Sequence, residues 1–97
     1  MEKKLGFIGA GNMAKAMMSG ILKNEILLPE DVIASDLYQP GLERTKEELG
    51  IAVTTDNQEV VKKAEVVVLS VKPQFYAAVI EEIREVVSEG QIIVTIA

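Results

Sequence analysis

Apolar positions along this chain switch repeatedly between the spacing of strands and the spacing of helices. Leu5-Gly6-Phe7-Ile8 is a short apolar run bounded by Gly9 and reads as a buried strand. From Asn12 the period changes. Met13, Ala16, Met17, Gly20 and Ile21 recur at helical spacing, with Lys15 and Ser19 opposite, and Ala14 and Leu22 widen the apolar face. The polar stretch Asn24 to Asp31, with Pro29 inside it, is a connection, and Val32-Ile33-Ala34-Ser35 is a second strand ending at Asp36. Pro40 suits the first turn of a helix and Gly50 its stop, with Leu42, Thr45 and Leu49 facing inward. Ile51-Ala52-Val53 is a brief third strand. Asp56 followed by Glu59 predicts a capping box with Asp at the cap, opening a short helix that carries Val60, Val61 and Ala64. Val66 to Val71 is almost continuously apolar, as in a central strand covered on both faces, and Lys72-Pro73 ends it. Phe75, Ala78, Val79, Ile83, Val86 and Val87 then repeat at helical spacing up to Gly90, and Gln91 to Ile96 is a last strand.

Five strands alternating with four helices predict an α/β fold, a doubly wound sheet of parallel strands joined by right-handed crossovers. The expected strand order is 3-2-1-4-5, with the first strand beside Val66–Val71. Ligands of such sheets bind at the carboxyl ends of the strands, where four loops meet here: Gly9–Asn12, Asp36–Gln39, Thr55–Asn57 and Ser70–Pro73.

Composition narrows the chemistry. A chain of 97 residues is one domain, with no room for a second. Its formal charge of −5 argues against nucleic acid or an anionic membrane as partner, since both need clustered positive charge. No apolar run approaches the roughly 20 residues of a membrane helix, and no signal peptide precedes the first strand. The expectation is a cytoplasmic protein. Cys and His are both absent, which excludes disulfides, thiolate chemistry, imidazole bases and Cys/His zinc sites. Neither a catalytic side chain nor a metal ligand set is expected. The chain stops at Ala97 with no polar tail, so the sheet is expected to be truncated after its fifth strand, with more chain following in the natural protein.

Gly9-Ala10-Gly11-Asn12-Met13-Ala14 fits G-x-G-x-x-G/A between a strand and a helix, the Rossmann-like fingerprint for a dinucleotide. Gly9 permits the tight turn, Gly11 leaves room for a pyrophosphate against the backbone, and Ala14 lets the helix pack close to the sheet. Free N–H groups around Gly11–Met13 and the helix dipole favour the anion. Asp36, at the end of the second strand, stands farther from Gly9 than the roughly 20 residues of the fingerprint, because the Asn24–Asp31 connection is extended. Its carboxylate can accept from both adenosine-ribose hydroxyls and would repel a 2′-phosphate unless a cation intervened, which by chemistry alone favours NAD over NADP. The backbone of Ser70–Pro73 is placed at the nicotinamide side, with Lys72 in reach of a phosphate or ribose hydroxyl, and Asn57 is a hydrogen-bonding residue for the adenosine half. Lys62-Lys63 and the run Glu81-Glu82 to Glu85 read as solvated helix faces.

These residues carry a resemblance. The opening Leu5 to Ala14, then Thr55-Asp56-Asn57, then Val71-Lys72-Pro73, closely resemble pyrroline-5-carboxylate reductase, and the likeness runs through Ile93-Val94-Thr95-Ile96-Ala97. The resemblance implies reduction of the cyclic imine 1-pyrroline-5-carboxylate to proline with NADPH or NADH, a step of proline biosynthesis. It also implies a cofactor site lined by Ile8, Gly9, Ala10, Gly11, Asn12, Met13, Asp36, Asn57, Ser70, Val71, Lys72 and Pro73. Residues 1–97 would then be the dinucleotide-binding half. A second, helical domain, which holds substrate and builds a homo-oligomer in that family, would be missing. Two other readings share the glycine loop: the cofactor domain of a hydroxyacid or 6-phosphogluconate dehydrogenase, and a non-catalytic dinucleotide-sensing module.

Overall fold

A computed structural model describes residues 2–96. The strands are β1 (Lys3–Ile8), β2 (Val32–Ser35), β3 (Ala52–Thr54), β4 (Ala64–Leu69) and β5 (Ile92–Thr95). All pair in parallel in one sheet of order β3-β2-β1-β4-β5, the expected topology. β1 is central, with Phe7 beside Ala34 on one side and Val68 on the other. The helices are α1 (Asn12–Lys23), α2 (Gln39–Leu49), α3 (Asn57–Lys63) and α4 (Tyr76–Ile83). Phe7, Val32, Ala34 and Val68 pack beneath α1 and α2 on one face of the sheet. Ile8, Ile33, Val67 and Leu69 pack beneath α3 and α4 on the other. The alternation along β1 and β4 is the period-two geometry of strands covered on both sides. Among the described residues no helix is long and apolar enough to cross a membrane.

Several local expectations are corrected. The inward stripe of α1 is Ala14 and Met18, at most 1% exposed, not the row containing Met13, Ala16 and Met17. The apolar arc of this helix is wide enough for two phases. The one chosen keeps Ala14 against the sheet, as the glycine fingerprint expects, and adds Met18 to it. The capping box does not form either. Asp56 Oδ1 accepts from the Gln58 N–H at 2.9 Å, but Glu59 turns to Thr54 Oγ1 (2.6 Å) and Lys63 Nζ (2.8 Å). Ala64 belongs to β4 rather than to α3, and β4 ends at Leu69, leaving Ser70 and Val71 in the following loop. The last helix is shorter than its apolar spacing suggests. Val79 and Ile83 are buried on α4, whereas Phe75 and Val87 flank it exposed. The third strand is displaced by one residue, from Ile51–Val53 to Ala52–Thr54. Ala97 lies outside the described residues, so the likeness at the end of the chain is followed only to Ile96.

Gly6 explains how close the layers are. A Cβ there would stand 2.5 Å from Val60 Cγ1 and 2.9 Å from Ala64 Cβ, so α3 rests directly on the backbone of β1.

Candidate dinucleotide site

The carboxyl ends of β1, β2 and β4 lie side by side, and the loops leaving them converge. The first is the glycine turn. Gly9 has φ of +99°, and its N–H donates to the Ser35 carbonyl at 2.8 Å. A Cβ at Gly9 would come within 2.9 Å of the Ser70 carbonyl oxygen, so glycine is required there for both conformation and space. The Ser70 hydroxyl lies 2.7 Å from the Gly9 carbonyl and 3.1 Å from that of Ile8, fastening the turn to β4. Gly11 differs. Nothing stands within 4 Å of the position its Cβ would take, and its backbone is extended just ahead of α1. Among the described residues no protein group accepts from the N–H of Gly11, Asn12 or Met13. These unpaired donors open a helix of twelve residues, whose dipole adds to their attraction for an anion. No acidic residue occupies that first turn.

Asp36 follows β2 and bonds to protein through both carboxylate oxygens. Oδ2 accepts from the Ala10 N–H at 2.9 Å, and Oδ1 accepts from the Tyr38 N–H at 3.1 Å. The residue read from sequence as a ribose acceptor is thus also a clasp on the glycine turn. A carboxylate offers about four acceptor positions, so two remain for ligand hydroxyls. One residue earlier, Ser35 is fully buried, and its hydroxyl donates to Asn57 Oδ1 at 2.6 Å.

Two cavities open on either side of this ridge. One of about 450 Å³ is lined by Ala10, Gly11, Asn12, Lys15, Asp36, Tyr38, Gly41, Arg44 and Glu48. The other, about 430 Å³, brings Ile8, Gly9, Gly11, Asp36, Leu37 and Asn57 together with Ser70, Val71, Lys72 and Phe75. Both are within the size range of small-molecule sites, and the second is walled largely by apolar side chains, as a planar ring system requires. Of the residues read from sequence, all but Met13 and Pro73 line a cavity. Met13 contributes a free N–H at the start of α1, and Pro73 opens the single turn Pro73–Phe75. Val71 and Lys72, expected beside the nicotinamide, share their cavity with Asp36 and Asn57.

Three residues were missed in the sequence. Ser35 gives no signal of its own at the end of an apolar strand. Lys15 and Arg44 are cations on the polar sides of α1 and α2, and both line the first cavity, Lys15 paired with Glu48 at 3.3 Å. A signal for Arg44 was available, since it falls one helical turn after Pro40, on the side of α2 that follows the Asp36 loop. Among the described residues no cluster suited to a metal ion occurs.

An unpaired ring of N–H groups, a side-chain-free approach at Gly11 and two cavities divided by a carboxylate define a dinucleotide-binding domain. Comparison with known proteins places it further. Residues 4–97 match the family described as NADP oxidoreductase, coenzyme F420-dependent. The chain belongs to that family, and its fold is an NAD(P)-binding domain with a site for NADP(H) or NAD(H). It is 39% identical to pyrroline-5-carboxylate reductase of Methanosarcina acetivorans, over 99% of this chain and 36% of that protein. Among solved structures, a pyrroline-5-carboxylate reductase from Coxiella burnetii superposes with a TM-score of 0.91 at 32% identity, over 100% of this chain and 36% of that one. The Plasmodium falciparum pyrroline carboxylate reductase with NADP bound gives 0.80 at 25% identity, over 99% of this chain and 34% of that one. The chain therefore spans about a third of the length of these relatives.

Proposed function

We propose that this chain is the cofactor-binding part of a pyrroline-5-carboxylate reductase, which reduces 1-pyrroline-5-carboxylate to proline in the cytoplasm. The observation that carries this reading is the glycine turn, where three consecutive N–H groups stand unpaired beside an open Gly11. The likeness to the named reductases supplies the substrate. A nicotinamide dinucleotide contributes the hydride, which adds to the imine carbon while the ring nitrogen gains a proton. The chain's own part is to bind and orient. Gly11, Asn12 and Met13 would hold the diphosphate through their N–H groups, and Asp36 and Asn57 would hold the adenosine half. Ser70 keeps the turn in shape from the β4 side. Val71, Lys72 and Pro73 would complete the wall. The site has no side chain poised as nucleophile, and hydride transfer needs none; what it needs is donor and acceptor held in contact. Substrate contacts and the homo-oligomer would come from chain beyond residue 97, as a second, helical domain.

The charges at the site bear on the choice of cofactor. Asp36 faces both cavities and disfavours a 2′-phosphate, while Arg44 brings a cation into the first of them. The reading is NADH use with NADPH tolerated through Arg44. The test is the full-length protein with 1-pyrroline-5-carboxylate, following oxidation of NADH and NADPH separately. Proline formation is expected with both, faster with NADH. Tight dinucleotide binding without turnover would replace the reductase reading with a sensing module.

A further inference from the structure

Asn57 is the first residue of α3, but it does not cap that helix, because Asp56 does. Its carboxamide is instead held from below. Ser35, 0% exposed at the end of β2, donates its hydroxyl to Asn57 Oδ1 at 2.6 Å. Burying a hydroxyl in an apolar layer costs free energy unless it is bonded, and this bond is its partner. The consequence falls on Asn57. A carboxamide has an oxygen that accepts and a nitrogen that donates, and the two exchange places by a half-turn of the side chain. Asn57 Oδ1 is the acceptor found for the Ser35 hydroxyl among the described residues, and turning the carboxamide over would leave that buried O–H without a partner, so the oxygen stays down and the two N–H bonds are left for the cavity that Asn57 lines with Asp36, Leu37 and Val71. Among the described residues no protein acceptor takes them.

We propose that Ser35 is a positioning residue: it locks the carboxamide of Asn57 so that its N–H groups face the cavity, where they donate to an acceptor on the adenosine half of the dinucleotide, a ribose oxygen or ring nitrogen. The Ser35 carbonyl also accepts from Gly9, so a single strand end sets both the phosphate turn and this donor. Asn57 and Asp36 then divide the work, one offering hydrogens and the other accepting them. The proposal rests on the dinucleotide reading above.

The experiment is a double-mutant cycle in the full-length protein, with NADH affinity measured by fluorescence titration and stability by thermal unfolding. Ser35→Ala is expected to weaken NADH binding about tenfold, the equivalent of one oriented hydrogen bond, in an otherwise native protein. In the Asn57→Ala background the same change is expected to leave affinity as it was. Ser35→Thr, which keeps the hydroxyl, should restore binding. Asn57→Asp, which keeps an oxygen to accept from Ser35, should bind NADH more weakly than Asn57→Ala, because it places a second carboxylate where a donor belongs. An equal loss from Ser35→Ala in both backgrounds would overturn the proposal and leave Ser35 a purely structural residue. So would an unchanged affinity in Asn57→Ala, with dinucleotide binding itself intact. Failure of the native protein to bind NADH or NADPH would instead remove the dinucleotide reading, and the proposal with it.

Discussion

Gly9 and Gly11 sit two residues apart and answer to different demands. Gly9 needs its positive φ and the space against Ser70, so Gly9→Ala should destabilise the fold by about 1–3 kcal/mol, measured by chemical unfolding. Gly11 faces open space. Gly11→Val should cost no more than about 1 kcal/mol, as a poorer N-cap for α1, while weakening NADH binding more than tenfold. A loss of NADH binding in Gly11→Val no greater than its loss of stability would show that the open space at Gly11 is not kept for a ligand. Asp36 combines both demands, since it ties down Ala10 and carries the charge that faces the ligand. Asp36→Ser should raise the ratio of kcat/KM for NADPH over NADH by about tenfold or more, as a repulsion is removed, and should also weaken both cofactors through the loosened turn. Arg44→Ala should lower NADPH use and leave NADH use unchanged. Unaltered cofactor ratios in both variants would remove these residues from recognition of the ribose.

At the scale of elements, the short α3 depends on its ends. Asp56 caps one, and Glu59 links the helix to β3 through Thr54 and to its own last turn through Lys63. The hydrogen bonds from Lys63 and Thr54 hold the Glu59 carboxyl below its ordinary 4.5, and the Glu59 carboxylate holds Lys63 above its ordinary 10.5. A carboxyl depressed in the folded state stabilises fully above its unfolded value. That contribution is lost as pH falls below 4.5 through the lower folded value. The lysine's contribution is present below 10.5 and is lost as pH rises beyond it. Both groups are partly exposed, so the effect is modest. Glu59→Gln should therefore flatten the acid limb of the thermal-stability profile below pH 4.5 and leave the shape near neutrality unchanged. An unaltered acid limb would mean that the cluster adds nothing to stability. The capping box read from Asp56 and Glu59 failed for the same reason: Thr54, a residue of the sheet edge, offered the carboxylate a better donor than the helix's own backbone.

Across the whole molecule, the edge strand β5 is left exposed along its whole length. Val94 and Ile92 pair with Val68 and Val66, on the face that α1 packs against, and Ile92 is 57% exposed. Met13 and Met17, displaced from the core by the phase of α1, are exposed on its flank. An apolar area of this kind favours association. The isolated 97-residue chain should self-associate at micromolar concentration in sedimentation experiments. Met17→Glu combined with Ile92→Lys should restore the monomer without changing its far-ultraviolet circular dichroism. A monomeric native chain would show that the two exposed groups do not form one adhesive surface.

The sequence by itself determined the sheet, its strand order and the phosphate turn. Those features rest on local stereochemistry and periodicity: Gly9 where φ must be positive, β-branched runs in covered strands, and Pro40 and Gly50 at the two ends of a helix. Tertiary structure decided what those elements bring to one another. The Asp36 carboxylate meets the Ala10 N–H, the Ser35 hydroxyl meets Asn57, and Arg44 enters the cavity beside Asp36 only once β1, β2, α2 and α3 are aligned. The phase of α1 belongs to the same class. The glycine fingerprint set Ala14 against the sheet, but a periodicity count does not separate Met18 from Met17, and only the packing of the helix on the sheet buries Met18. Pairings between polar groups far apart in the chain depend on strand register and layer spacing, and no short stretch of residues encodes either.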